Sequence, residues 1–503
     1  MAVGQLLNIG GNLVLVPLFL SRWPLGVYGE WMALSAVAAY FSVTDLGMNS
    51  ASANSLVAAY ARHDMDRYRR LQGSAMAFFL SVALVATAGF GILTSVTPIL
   101  ASVGIREIPA PRAFWVAWIL AGKVLWQMPA GQLWNVYRTI GRLPTMLWIG
   151  NLQSFGLLAV SLVVLLLRGG VLELAVWSAV PMLVAAVGTW CALRFSHASL
   201  MPKLTTCRIS GIRELLRPSL MFGLIMFATV LSFQGPVIIV SRVLGGAAVA
   251  LLVTTRTLAN VIRTVVMMLN NTLWPELTHL DAIGASETLR LTHRLTAVCF
   301  TMLSAAFAAA LWFEGPEVTT VWTRGTLVLD VWLLRLFLLV LVLQAPWLAS
   351  SLFTISSSRH GNLAYCYLGS AVLPLVASAV LIRPIGLLAV PFGTLLGEAI
   401  ACYHFVVKDT CRVLNEDYPR YAVRLWAGVI AMLLGPWGAG WLGHYFAFGP
   451  APLRWLEVGS MTTLAALLCA WGVALPKNDR VRLLHWLRSK SSSQNGASVS
   501  VLA

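Results

Sequence analysis

Charge is what this sequence has least of. Only 11% of its 503 residues are Asp, Glu, Lys or Arg, and the acids number 19, where a soluble domain carries about a quarter charged residues. With 58% hydrophobic residues and a mean hydropathy of +0.79, a cytosolic enzyme is excluded. The apolar runs have helix length, about 20 residues each, and do not alternate in ten-residue strands, so a β-barrel is excluded too. Other absences narrow the chemistry. The seven cysteines fall in or beside apolar runs with no Cys-x-x-Cys pair and no His at metal spacing, and read as packing residues. No Gly-rich loop ends in Lys-Ser or Lys-Thr, so ATP hydrolysis by that device is absent and any transport is secondary. The longest outer connection, Glu314–Asp330, is too short for an extracytoplasmic catalytic domain, which weighs against a membrane enzyme. The apolar start, Met1–Leu20, lacks a basic lead and a cleavage site and is interrupted by Gln5, Asn8 and Asn12, so it reads as a retained first helix.

What is present is a series of spans. They are expected at Met1–Leu20, Gly29–Leu56, Ser74–Leu100, Phe114–Tyr137, Met146–Leu167, Val171–Phe195, Leu220–Ser241 and Ala247–Trp274. Six more follow at Leu295–Phe313, Val331–Phe353, Leu363–Ile382, Ile385–Val407, Trp426–Phe448 and Trp455–Leu475. The fold class is therefore an all-α polytopic membrane protein of about fourteen transmembrane helices, within a range of twelve to fourteen.

The net charge of +16 would suggest nucleic acid in a soluble protein, but here the cations sit mainly in short loops and no nucleic-acid partner is expected. Arg62, Arg67, Arg69, Arg70, Arg138, Arg142, Arg290, Arg294, Arg420 and Arg424 crowd alternate connections. The intervening ones hold fewer, such as Arg22, Arg106, Arg168 and Arg242. The positive-inside rule then places both termini in the cytoplasm. Residues 477–503 form a basic tail whose Leu483, Leu484, Trp486 and Leu487 among cations suit an anionic membrane surface, with Ser491–Ala503 expected to be disordered.

An internal repeat pairs Pro17–Gly26 (PLFLSRWPLG) with Pro236–Gly245 (PVIIVSRVLG); each copy ends a helix on Ser-Arg and then Leu-Gly. A repeat in one orientation implies two six-helix lobes facing a cleft. The domains expected are an N-terminal lobe over 1–205, a C-terminal lobe over 206–410, two additional helices over 411–476 and the tail.

Polar residues within spans carry the functional signal. Arg256, Asn260, Arg263 and Asn270 share one face of the eighth span. An arginine at mid-membrane costs about 2.5 to 3.5 kcal/mol on insertion scales, so two on one stripe point to a hydrated cavity and an anion. Their planar forks suit phosphate, and together they match a pyrophosphate; the alternative is that they pair with fixed acids or snorkel. The second span carries Ser35, Ser42, Asp45, Asn49 and Ser52. Asp45, and Glu398 in the twelfth span, are candidates for proton or sodium coupling, while Asp45 has two other readings: capping a helix break before Gly47, or pairing with an arginine. Lys123 and Gln127 on the fourth span, Gln5, Asn8 and Asn12 on the first and Gln234 on the seventh surround one expected cavity, or else glue helices together.

The segments Val16–Met48 (VPLFLSRWPLGVYGEWMALSAVAAYFSVTDLGM), Trp274–Gly284 (WPELTHLDAIG) and Val321–Gly325 (VWTRG), in this order and spacing, resemble the oligosaccharide (O-antigen type) flippases of the multidrug, oligosaccharidyl-lipid and polysaccharide exporter superfamily. The resemblance extends over almost the whole chain. It implies two six-helix lobes plus two helices in a bacterial cytoplasmic (inner) membrane. It also implies alternating access that carries an undecaprenyl-pyrophosphate-linked oligosaccharide to the outer leaflet for surface polysaccharide, O-antigen and lipopolysaccharide biosynthesis. Arg256 and Arg263 match the family's cationic cavity by helix and depth, with Lys123 and Arg22 as weaker matches. Asn260, Asn270, Gln127 and Asn49 are then polar cavity residues. A polysaccharide polymerase and a chain-length regulator are implied as partners, and no cofactor beyond a coupled H+ or Na+. Two features depart from the family: the chain begins inside the first helix, where relatives have an amphipathic lead, and Trp23-Pro24 lengthens that helix end. Two rivals stand beside this reading. One is an ion-coupled small-molecule exporter of the same superfamily, which would want acids in its cavity, and the other is an enzyme acting on the same lipid.

Overall fold

The computed structural model describes residues 2–97, 99–356, 361–446 and 449–482. The side chains of Gln5, Asn8 and Arg217, and the tail residues Leu483, Leu484, Trp486 and Leu487 with Ser491–Ala503, lie outside the described residues. The helices in chain order are α1 (Ala2–Arg22), α2 (Leu25–Ala39), α3 (Met48–Ala61), α4 (Met65–Val96), α5 (Ile99–Ser102), α6 (Ala110–Thr139), α7 (Leu143–Leu166), α8 (Val171–Ser196), α9 (Ile209–Leu244) and α10 (Gly246–Ala282). They continue with α11 (Ser286–Trp322), α12 (Val331–Ser356), α13 (Gly361–Ile385), α14 (Ala389–Ala401), α15 (Phe405–Val413), α16 (Tyr418–Phe446) and α17 (Ala451–Cys469). No strand occurs among the described residues. Among the described residues, ten candidate spans are long and apolar enough to cross a membrane by length and composition. Each expected span coincides with a helix, or in two cases with a pair of helices.

One of those pairs replaces a single expected span. Gly29–Leu56 reads as one helix in the sequence, yet the chain stops α2 at Ala39, winds through a 3-10 turn over Tyr40–Asp45 and restarts at Met48. Leu46 and Gly47 take left-handed backbone at φ 51° and 72°, a conformation in which glycine has no steric penalty. The bend is also held from outside, because a side chain at Gly47 would collide with the backbone of α9 at Ser219 and Gly223. The first turn of α3 is capped by Asp45, whose Oδ1 accepts from Asn49 N at 2.9 Å. A second close approach joins Gly29 of α2 to the Gly246 backbone at the start of α10, the kind of helix contact that small residues permit in lipid.

Several helices outrun their expected spans. α9 begins at Ile209, α10 continues to Ala282 and α11 runs from Ser286 to Trp322, so the polar stretch Pro275–Leu291 is largely helical, and Glu314–Trp322 belongs to α11 rather than to a connection. The added turns are amphipathic and keep burying apolar side chains: Leu215, Leu277 and Leu289 are all buried. The corners that follow the two repeat segments are alike, with α1 giving way to α2 and α9 to α10 within a few residues.

By contacts the chain divides into two compact units. The first comprises Met1–Thr264, Thr319–Leu336 and His360–Cys402; the second comprises Val265–Val318, Phe337–Arg359 and Tyr403–Ala503. The first has a core of Met48, Leu56, Tyr68, Phe79, Leu125 and Val136, drawn from α3, α4 and α6. In the second, Leu277, Leu289, Leu352, Phe353 and Leu414 pack together, and buried ion pairs add to the packing. Arg294 bridges Glu416 at 2.8 Å and Asp479 at 2.7 Å. Burial alone would raise the Glu416 carboxyl, but His293 and Arg294 beside it outweigh that and hold it below the ordinary value. Glu314 takes His444 at 2.7 Å and Arg454 at 3.1 Å. The start of the basic tail turns back on its own helix: Arg480 donates to the carbonyls of Gly472 and Leu475, satisfying acceptors that a helix end leaves open.

Candidate substrate site

The broken α2–α3 segment and α6, α7, α8 and α9 line an open cavity of about 390 Å³ with polar groups in the first unit. Asp45 and Asn49 enter it from the break, Lys123 and Gln127 from α6, Gln153 from α7 and Ser178 from α8. Lys123 Nζ donates to Ser178 Oγ at 3.2 Å. Gln153 Nε2 donates to Gln127 Oε1 at 2.9 Å. Asp45 is 8% exposed and holds its α3 cap within the cavity wall. One cation, one carboxylate and a set of amides thus line a space at the depth of the helices, able to bind a charged or hydroxylated group by hydrogen bonds.

Behind this cavity lies a buried polar network that sequence reasoning missed. Gln132 Nε2 donates to Gln72 Oε1 at 2.6 Å, while its Oε1 accepts from Ser52 Oγ at 3.0 Å and Asn135 Nδ2 at 3.3 Å. Asn135 Nδ2 also donates to Asn49 Oδ1 at 2.9 Å. The network ties α3, α4 and α6 together and fixes the orientation of Asn49. A signal existed in the sequence: Gln132, Asn135 and Thr139 recur at three and four residues on α6, a second polar stripe beyond Pro129.

The α10 arginines lie on another part of the same unit. Arg256 Nη1 donates to the Phe233 carbonyl at 2.8 Å. The guanidinium carbons of Arg256 and Arg263 stand 5.7 and 4.8 Å from the centre of the Phe233 ring, so two cations converge on one aromatic ring. Arg263 is in electrostatic reach of Glu398 on α14 and Tyr367 on α13, and Arg256 is in reach of Arg263. The three ionisable groups Arg256, Arg263 and Glu398 carry a formal charge of +1. Helix α9 links this cluster to the polar cavity: Met226 lines the cavity, and Phe233 follows seven residues later on the same face, about 10 Å along the helix.

The sequence-predicted residues are therefore divided. Lys123, Gln127, Asp45 and Asn49 meet in the cavity. Arg256, Arg263 and Glu398 meet around Phe233 and α14, and Asn260 lies between the two arginines on α10, partly exposed. Asn270 falls in the second unit, buried, with an Oδ1 that has no hydrogen-bond partner among the described residues. Arg22 is exposed at the end of α1, as is Asn12 further back, and neither they nor Gln234 are among the described residues lining the cavity. No group of His, Cys, Asp and Glu able to hold a metal occurs among the described residues.

No family model and no curated protein sequence matches this chain. Solved structures do. An inward-facing multidrug resistance MATE family transporter of the MOP superfamily aligns with 80% of this chain and 95% of its own, at a TM-score of 0.68 and 13% identity. Lipid II flippase MurJ in an inward closed conformation aligns with 93% of this chain and 97% of its own, at 0.67 and 10%. A MOP superfamily transporter from Pyrococcus furiosus, described by the reverse polarity of its binding pocket, covers 82% and 94% at 0.58 and 13%. At these identities the likeness is one of fold: the chain is an all-α polytopic membrane protein whose fold is similar to that of MATE transporters and of the lipid II flippase.

Proposed function

We propose that this protein is a flippase that carries an undecaprenyl-pyrophosphate-linked oligosaccharide from the inner to the outer leaflet of a bacterial cytoplasmic membrane by alternating access. Arg256 and Arg263 hold the pyrophosphate, and the amides and hydroxyls around Lys123 and Asn49 accept the sugars. The observation that carries the reading is the convergence of two guanidinium groups on Phe233 at membrane depth. Holding two like charges together in a low-dielectric site is costly, and with Glu398 in reach of Arg263 the group still carries a net charge of +1, which an anion offsets. The fold likeness to a lipid II flippase supports a lipid-linked substrate. The lobes over 1–205 and 206–410 rock about the site, with Asp45 or Glu398 taking the coupled proton or sodium ion. A polymerase and a chain-length regulator act on the product.

An ion-coupled small-molecule exporter is the second reading, favoured by the Asp45 carboxylate in a cavity of drug size. One experiment separates them. In cells lacking the protein, the leaflet location of undecaprenyl-pyrophosphate oligosaccharide is measured after restoring wild type or the Arg256→Ala, Arg263→Ala double variant. Inner-leaflet accumulation relieved by wild type alone supports flipping and the anion site together. Normal export by the double variant, with insertion intact, overturns the flippase reading as stated.

A further inference from the structure

The first unit contains a larger cavity beside the polar one. It is a groove of about 680 Å³ between α4, α6 and α8, walled by side chains such as Met76, Leu80, Trp118, Trp126, Leu183 and Trp190. That volume is in the range of ligand pockets, about 300–1,000 Å³. Lys123 and Met182 line this groove and the polar cavity alike, so the apolar slot and the polar space meet at one ammonium group. Lys123 has the Ser178 hydroxyl as its hydrogen-bond partner and forms no ion pair among the described residues, although an ammonium offers three donors.

We propose that this groove seats the polyprenyl chain of an anionic lipid, with Lys123 at the junction holding its phosphate. The proposal rests on the flippase reading and names where the lipid tail of that substrate is held first, before its pyrophosphate passes to Arg256 and Arg263. Depth distinguishes this occupant from ordinary phospholipid. Lys123 stands near the middle of α6, thirteen residues from its first residue and sixteen from its last, so about 20 Å of helix separates it from one end and about 24 Å from the other. A phospholipid resting in its leaflet keeps its phosphate at the interface, about 15 Å from the mid-plane. A phosphate that reaches Lys123 belongs to a lipid whose headgroup has left the interface. The three indoles of Trp118, Trp126 and Trp190 give flat faces for the planar alkenes of an isoprenoid chain.

The test uses the full chain in nanodiscs of zwitterionic lipid, with labelled undecaprenyl phosphate as probe and unlabelled undecaprenyl phosphate, undecaprenol and phosphatidylglycerol as competitors. A side-chain Cβ built at Gly122 meets nothing within 4 Å, so Gly122→Leu projects bulk into the groove from an open position, and its thermal unfolding midpoint is measured alongside. The expected result is at least a tenfold loss of undecaprenyl phosphate affinity in Gly122→Leu with an unchanged midpoint. Lys123→Gln is expected to lose the preference for undecaprenyl phosphate over undecaprenol while still binding both. Wild-type affinity in Gly122→Leu overturns the proposal, and so does phosphatidylglycerol competing mole for mole with undecaprenyl phosphate. The Arg256→Ala, Arg263→Ala variant keeps the two readings apart: normal export by it removes the flippase mechanism while groove binding still stands or falls on Gly122→Leu.

Discussion

Replacing Arg256 by methionine separates an arginine kept for a ligand from one kept for architecture. The substitution removes a hydrogen bond from a charged donor to the Phe233 carbonyl at 2.8 Å, worth about 1.5–3 kcal/mol. It also removes a cation–π contact at 5.7 Å, worth about 0.5–2 kcal/mol. Against these losses stand the cost of an arginine at membrane depth, about 2.5–3.5 kcal/mol, and relief of the repulsion from Arg263. The two sides nearly cancel, so the unfolding free energy of the empty protein is expected to change by no more than about 2.5 kcal/mol. Binding behaves differently, because a lost charge-assisted pair to phosphate weakens affinity at least tenfold, about 1.4 kcal/mol. The assay pairs detergent-induced unfolding of the unliganded protein with equilibrium binding of undecaprenyl pyrophosphate. A loss above about 3 kcal/mol in the empty protein, with unchanged binding, would show that Arg256 is a structural tie and refute the reasoning.

Three further outcomes are expected. Gln132→Leu breaks three side-chain hydrogen bonds; at an average of about 0.6 kcal/mol per intramembrane bond it should destabilise by about 2 kcal/mol in the same unfolding assay, and a change near zero would remove the network's role. Asp45→Asn keeps a residue able to cap α3, so unfolding should shift by less than about 1 kcal/mol, while transport should lose its dependence on an imposed proton or sodium gradient; retained dependence would eliminate Asp45 as the coupling group. Glu416 has a carboxyl lowered from its ordinary 4.5, so its pairing contributes stability above that pH and loses it as pH falls through the lowered value. Wild type should therefore weaken on acidification below about 4.5 more steeply than Glu416→Gln, as read by unfolding across pH 6 to 3.

Helix number and position were legible in the sequence because lipid demands continuous apolar runs and satisfied backbone, and both leave a linear trace. The ends were less legible. Leu215, Leu277 and Leu289 are buried by neighbours outside the apolar windows, and nothing local distinguishes a helix that continues past the membrane from a polar connection. The break between α2 and α3 was half visible: Asp45 before Gly47 allowed a capped interruption, but the turn is held by α9 at Ser219 and Gly223, more than one hundred and seventy residues away in sequence. For the site, the pairing of Lys123 with Gln127 and of Arg256 with Arg263 followed from helical periodicity. Their division into two places, and the partnership of Gln132 with Gln72 and Ser52, depend on tertiary packing that periodicity does not encode.

The glycine contact between α2 and the start of α10 also offers a fulcrum. Backbone lies against backbone there with the Glu30 side chain alongside, so a tilt of α10 as a stiff arm would pivot about that point. Arg256 stands about 15 Å along the arm and Arg263 about 25 Å at 1.5 Å per residue. A tilt of 10° displaces the first by about 3 Å and the second by about 4.5 Å. Two grips on one anion would therefore travel unequal distances, and a small rotation at the fulcrum would be enough to open a bidentate clamp.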